Sequence, residues 1–272
     1  FNKKFTKALE FANKIAAQTK GRIATLSDLI TLRASNGLDS NLWNKWITPL
    51  TTVYFGVYKE KRLIVVAHHL GPLNTKKRIE EWVKSGEKDE KGGREKYGTA
   101  GSPKISQEEF NNLVEDKYGK VTLINFDEYS NIYSDNYGIV RNVHVERAMH
   151  DPLIQALLGN SANAFISHHF KISNDYANEH QKEEGSGYKI LELNLRDRYG
   201  ASLLSKKKQE FPDTPVALRI ILSRPNRYSN HDLSISTELY TEEDLGYTRF
   251  VVINNDTEDF IELDLDFEKD WE

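Results

Sequence analysis

The 272-residue chain contains no cysteine. That excludes a disulfide framework, a cysteine-ligated zinc or iron–sulfur site and a thiol nucleophile. It does not fix the compartment, because reducing and oxidising environments both tolerate a cysteine-free chain. No run of about 18 apolar residues occurs, so no membrane-spanning helix and no membrane partner are expected. The first eighteen residues, FNKKFTKALEFANKIAAQ, are amphipathic and lack the apolar centre of a signal peptide. The opening Phe1, with no Met before it, reads as a processed or trimmed start. Glycine (16) and proline (7) are too few for a low-complexity or collagen-like chain.

Catalytic signatures are also missing. There is no H-E-x-x-H and no G-x-S-x-G elbow. The Gly-rich stretch Gly92–Ser102 carries Arg94 and Lys96 but fits neither phosphate-loop pattern. Ser167 beside His168 is adjacency in sequence, not a catalytic arrangement. No cofactor is expected.

What the chain has is apolar patterning and an uneven charge. Four Trp, thirteen Tyr and twelve Phe supply large core side chains. The net charge is −4, yet residues 238–272 hold 13 acids and 2 bases, a net of −11, leaving +7 for the rest. Such a split suits an interaction surface. A mildly positive body is far from the basic stripe of a duplex-DNA binder, so a nucleic-acid partner is not expected.

Helical spacing of Phe5, Leu9, Phe11, Ile15 and Ala16 predicts an amphipathic helix over 4–19. Ser27 or Thr25 caps a second helix that ends near Asn36-Gly37. Residues 52–58 and 63–67 read as a hairpin across Lys59-Glu60-Lys61. Residues 85–104 are almost devoid of apolar residues and read as a polar loop insertion. Ser106-Gln107-Glu108-Glu109 is a capping box, and Asp151-Pro152 opens a further helix. Ala164–Ile172 is expected as a strand, which would put His168 and His169 on opposite faces. Strands are expected at 191–195, 216–222, 233–239, 247–254 and 260–267. The last four follow closely and suggest an antiparallel meander. The expected fold class is α+β, with helices mainly in the first half and a largely antiparallel sheet of about eight to ten strands completed by the second. A single domain over 1–272 is expected, with the insertion at 85–104 and a lobe boundary, if there is one, near 181–187.

Three groups of residues could carry function. His69 and His169, with Asp175, have the ligand types of a divalent-metal site, and Glu179 and His180 lie near in sequence. Glu262, Asp264 and Asp266 alternate with apolar residues and would line one strand face about 7 Å apart, a surface for a cation or a basic partner. Tyr129, Tyr133 and Tyr137 recur every four residues as a contact ladder. The expected function is that of a non-enzymatic structural, assembly or binding protein, self-associating as a homo-oligomer or within a viral particle. The alternative is a metal-dependent hydrolase using the His/carboxylate set. No small-molecule ligand is specified.

Overall fold

The computed structural model describes residues 2–36, 42, 47–68, 71–75, 77–78, 104–117, 121–133, 140–167, 189–194, 211–212, 214–222, 233–237, 249–256 and 259–264. Helices and mostly antiparallel sheets make the fold α+β.

Helix α1 (Asn2–Gln18) leads through strand β1 (Gly21–Ile23) into α2 (Leu26–Ser35). Thr25 is the N-cap of α2: its Oγ1 accepts from the Asp28 N–H, and Asp28 accepts from the Thr25 N–H in return. This reciprocal box fixes the start that the sequence left open between Thr25 and Ser27. Strands β2 (Thr51–Tyr58) and β3 (Lys61–His68) form the expected hairpin, in register from Thr51↔His68 to Tyr58↔Lys61. Helix α3 (Gln107–Val114) is opened by the Ser106/Glu109 box. The Glu109 carboxylate also takes two bonds from the Arg78 guanidinium, 2.8 and 3.1 Å. Strand β4 (Val121–Asn125), α4 (Phe126–Tyr133), β5 (Val140–His144), α5 (Val145–His150) and α6 (Pro152–Leu158) follow. Strands β6 (Lys189–Asn194), β7 (Val216–Leu222), β8 (Leu233–Thr237), β9 (Arg249–Asn254) and β10 (Phe260–Asp264) complete the described chain.

The larger sheet has the order β4-β3-β2-β7-β8-β6-β5, and the smaller β1-β9-β10. All pairings are antiparallel except β6 with β8. The expected meander is therefore corrected. Strands β7–β8 and β9–β10 pair as hairpin neighbours do, but the chain changes sheet between β8 and β9, and β8 spends its second edge on β6. A second correction concerns the stretch expected as a strand from Ala164: residues 162–167 are helical. Ala162, Phe165 and Ile166 stand at i, i+3 and i+4 and are all buried, so helical spacing, not alternation, turns them into the core. His168 and His169 follow outside the described residues, as does the suggested boundary at 181–187. Of the insertion at 85–104 only Lys104 is described, bridged to Val216.

Three cores result. On one face of the large sheet, Val53, Phe55, Ile64, Val66, Leu218 and Ile220 pack against α2, α6 and the residues after it. On the other, Tyr54, Val65 and Ala67 meet Phe110 and Leu113 of α3. Gly56 is required there, because a Cβ would fall 2.8 Å from the Phe110 ring. Helix α1 covers the small sheet with Ala8, Leu9, Ala12 and Ala16 on Phe250, Val252 and Leu263. Valine and isoleucine of β9 on the opposite face, Val251 and Ile253, join the main core, so β9 is shared between both. Arg33 of α2 is fully buried, its Nε–H donating to the Leu42 carbonyl at 3.0 Å. Burial pulls its guanidinium down to about 9, still cationic at neutral pH.

The β2–β3 turn carries Lys59 at φ 47° and Glu60 at φ 64°, both left-handed. A two-residue turn of this type favours Asn-Gly, since side chains with a Cβ are strained there. The double substitution Lys59→Asn/Glu60→Gly is expected to raise unfolding stability by about 1 kcal/mol; chemical denaturation checks this, and a loss of stability would show that the Lys59–Tyr58 ring contact outweighs the turn strain.

Candidate functional site

The polar groups of the described frame converge where the two sheets and two helices meet. The stretch Ile47–Leu50 stitches the sheets together. Ile47 and Leu222 exchange both backbone bonds, the Thr48 N–H donates to the Arg249 carbonyl, and the Leu50 N–H to the Ala24 carbonyl. Ala24 in turn donates to Val251. One residue on, Thr51 Oγ1 accepts the Leu26 N–H at 2.8 Å, satisfying a donor that the first turn of α2 leaves open. The same hydroxyl lies 3.0 Å from His68 Nδ1, and His68 Nε2 lies 2.8 Å from the Ala156 carbonyl of α6.

These contacts fix the protons. A carbonyl only accepts, so His68 Nε2 carries its hydrogen and donates to Ala156. Nδ1 is then the acceptor, and the Thr51 hydroxyl donates to it while accepting from Leu26. The unit Leu26–Thr51–His68–Ala156 is thus a directed chain with each donor used. Burial pushes the His68 imidazole below its usual value; the bond to Ala156 and the Asp28 carboxylate oppose that shift. Thr51 is 1% exposed and both ring nitrogens are engaged, so this Thr–His pair is a structural clasp with no free base.

Two further ties complete the junction. Burial would raise the Asp28 carboxyl, but the Arg22 guanidinium and the Thr25 cap hold it below the usual carboxylate range. Arg22 Nη2 donates to Asp28 Oδ1 at 2.8 Å. Asp151, fully buried, caps α6 by accepting from the Leu153 and Ile154 N–H groups at 2.9 and 3.1 Å, with the Tyr129 hydroxyl on its other oxygen at 3.3 Å. At the far end of α6, Gly159 has φ 71°, and a Cβ there would sit 2.0 Å from Ser27 Oγ, so α2 and α6 touch only because position 159 is glycine.

At the opposite end of the β2–β3 hairpin lies a more open cluster. Arg62 pairs with Asp127 and stands over the rings of Phe126 and Phe211, 5.4 and 5.7 Å from their centroids. Both charged side chains are more than a third exposed, so the pair contributes little by itself. Its packing ties the start of α4 to the residues leading into β7.

The residues singled out by sequence are distributed differently. Tyr129 is 2% exposed and belongs to the main core, so it packs beneath α6 instead of presenting a contact surface. Tyr133 lies on the same helix, and Tyr137 falls outside the described residues. Glu262 and Asp264 stand on β10, opposite Val251 and Arg249 respectively; Asp266 is outside. His69, His169, Asp175, Glu179 and His180 are outside as well. Among the described residues, no three His, Asp or Glu side chains are grouped to hold a metal ion. Nor is any helix among them long and apolar enough to cross a membrane. Sequence reading passed over His68 in favour of its neighbour; the signal was its place as the last residue of an apolar strand, where a polar side chain at a sheet end can reach two elements at once.

No family model and no curated protein matches the chain. A solved structure described as "Accommodation of massive sequence variation in Nanoarchaeota by the C-type lectin fold" is similar, with a TM-score of 0.52 and 16% identity over 80% of this chain and 82% of that one. The fold resembles the C-type lectin fold. In this lectin-like frame the junction described above joins the sheet bearing both the first and the last described strands to the larger one.

The clasp makes stability pH-dependent in one direction. His68 has a lower pKa folded than unfolded, so the unfolded chain binds more protons on acidification and stability is lost as pH falls below about 6.5. His68→Gln keeps a donor for Ala156 and an acceptor for Thr51 but does not titrate. Wild type is expected to lose more unfolding stability between about pH 7 and pH 5 than His68→Gln does. Parallel curves from denaturant melts would contradict the assignment.

Proposed function

We propose that the chain is a non-enzymatic binding protein, in which the two sheets and their helices act as a frame and recognition falls to polar sequence carried between frame elements. The observation that supports this is the fold likeness to a structure described as accommodating massive sequence variation by the C-type lectin fold. A frame that tolerates variation must hold itself together without help from the variable parts. Here the ties are internal to the described elements: the Thr25–Asp28–Arg22 cap, the Leu26–Thr51–His68–Ala156 clasp and the Asp151 cap. The stretch 85–104, by contrast, has almost no apolar residues and can add little to a core. Its composition is that of a segment that orders against a partner.

A display library tests the reading. Randomising 85–103 is expected to leave most clones resistant to protease, while randomising Thr51, His68, Asp151 and Gly159 together should leave few. Selection of the first library on immobilised proteins should then yield clones with new specificities. Loss of protease resistance across most of the 85–103 library would sink the proposal.

A further inference from the structure

The described chain breaks off after Arg78 and resumes at Lys104, and the polar stretch 85–103 lies in that interval. One carboxylate joins the two ends. Glu109 accepts from Arg78 Nε and Nη2 at 3.1 and 2.8 Å, and from the Ser106 N–H at 2.8 Å. The acceptor stands on a rigid seat. The Ile105 N–H donates to the Pro215 carbonyl at 2.9 Å, Lys104 is bridged to Val216, and Gln107 Nε2 donates to the Val57 carbonyl at 2.8 Å. Phe110, the next residue, is fully buried against Gly56. The Arg78 and Glu109 side chains are each less than a third exposed, and the guanidinium grips the carboxylate as a fork, which separates this pair from an ordinary surface ion pair. Burial would raise the Glu109 carboxyl, but the Arg78 guanidinium and the Ser106 cap hold it below the usual carboxylate range, so the acceptor is charged at neutral pH.

We propose that Arg78 and Glu109 are positioning residues for recognition: by tying the point where the chain enters the 79–103 interval to the point where it returns, they set the affinity with which the polar stretch binds a partner. This inference rests on the binding reading and adds two residues, outside the stretch itself, that matter to every ligand. Length is not the reason. Without the tie the frame would still be held at Asn74, whose N–H donates to the Gly71 carbonyl at 3.0 Å. Adding Thr75–Arg78 to the interval changes its closure by a factor of only about 1.3, because closure entropy grows with the logarithm of length. What changes is order. Lys77 and Arg78 would be fixed at the moment of binding instead of beforehand, and fixing even one backbone residue costs about tenfold in affinity. The capping box shows how to cut the tie without cutting the helix. Gln serves at the third helical position as Glu does, so Glu109→Gln keeps the start of α3 and loses the charged fork. Arg78→Gln leaves the Ser106–Glu109 cap whole.

Binding clones from the 85–103 library carry the test. Arg78→Gln is expected to weaken each clone at least about tenfold, whatever its target, while lowering the melting temperature by no more than about 4 °C. Glu109→Gln should do the same, and the double variant should bind no more weakly than either single one, because both cut the same tie. A pair that served only to hold the fold would lower the melting temperature and leave affinity alone. Unchanged affinity in Arg78→Gln, or fully additive losses in the double variant, overturns the proposal. A library without binders would be a failure of the binding reading, and amide exchange at Lys77 and Arg78, which needs no ligand, tells the two failures apart. Exchange at least about fivefold faster in both variants shows the tie holding its root; exchange equal to wild type shows that it does not.

Discussion

The hydroxyl of Thr51 is the small group on which the arrangement of the frame turns. It sits at the start of β2, accepts the orphan Leu26 N–H at the start of α2 and donates to His68 at the end of β3. His68 carries the connection on to the last turn of α6. One hydrogen-bond chain thereby spans two strands of the large sheet and two helices of the layer above it. Leu50, the residue before, bonds to Ala24, which bonds to β9 of the small sheet. Removing a partner inside such a buried chain costs the desolvation of whatever is left unpaired, on the order of 1–3 kcal/mol, more than a surface hydrogen bond returns.

The apolar cores alone would not specify this geometry. Val53, Phe55, Ile64 and Val66 make the sheet face greasy enough to attract any amphipathic helix. What selects the seating of α2 and α6 is directional: capped N-termini with buried partners and a glycine at 159 that lets α6 end against Ser27. The exposed Arg62–Asp127 pair at the other end of the hairpin works by packing, its guanidinium bridging Phe126 and Phe211.

Much of the local architecture was legible. The capping boxes at Thr25 and Ser106, the Asp151-Pro152 helix start and the 51–68 hairpin rest on contacts within a few residues, and the sequence displays both partners side by side. Long-range choices were not legible. The stretch after α6 looked like a strand because Phe165 and Ile166 are β-formers, yet the Ala162–Phe165–Ile166 spacing and the waiting core made it helical. The passage of the chain from one sheet to the other between β8 and β9 left no local mark, since each strand is a good strand in either sheet. The clasp was missed for the same reason: Thr51, His68 and Ala156 are 17 and 88 residues apart. Tyr129 was read by its four-residue rhythm as a surface ladder, but that rhythm equally describes the inward face of a helix.

Thr51→Val tests the central role of the clasp most directly, because it removes the hydroxyl and keeps the shape. The account predicts a loss of about 2 kcal/mol in unfolding stability, together with faster exchange of the Leu26 amide proton measured by NMR. Stability and Leu26 exchange unchanged from wild type would contradict it, and would leave apolar packing as the sole determinant of how the helices sit on the sheet.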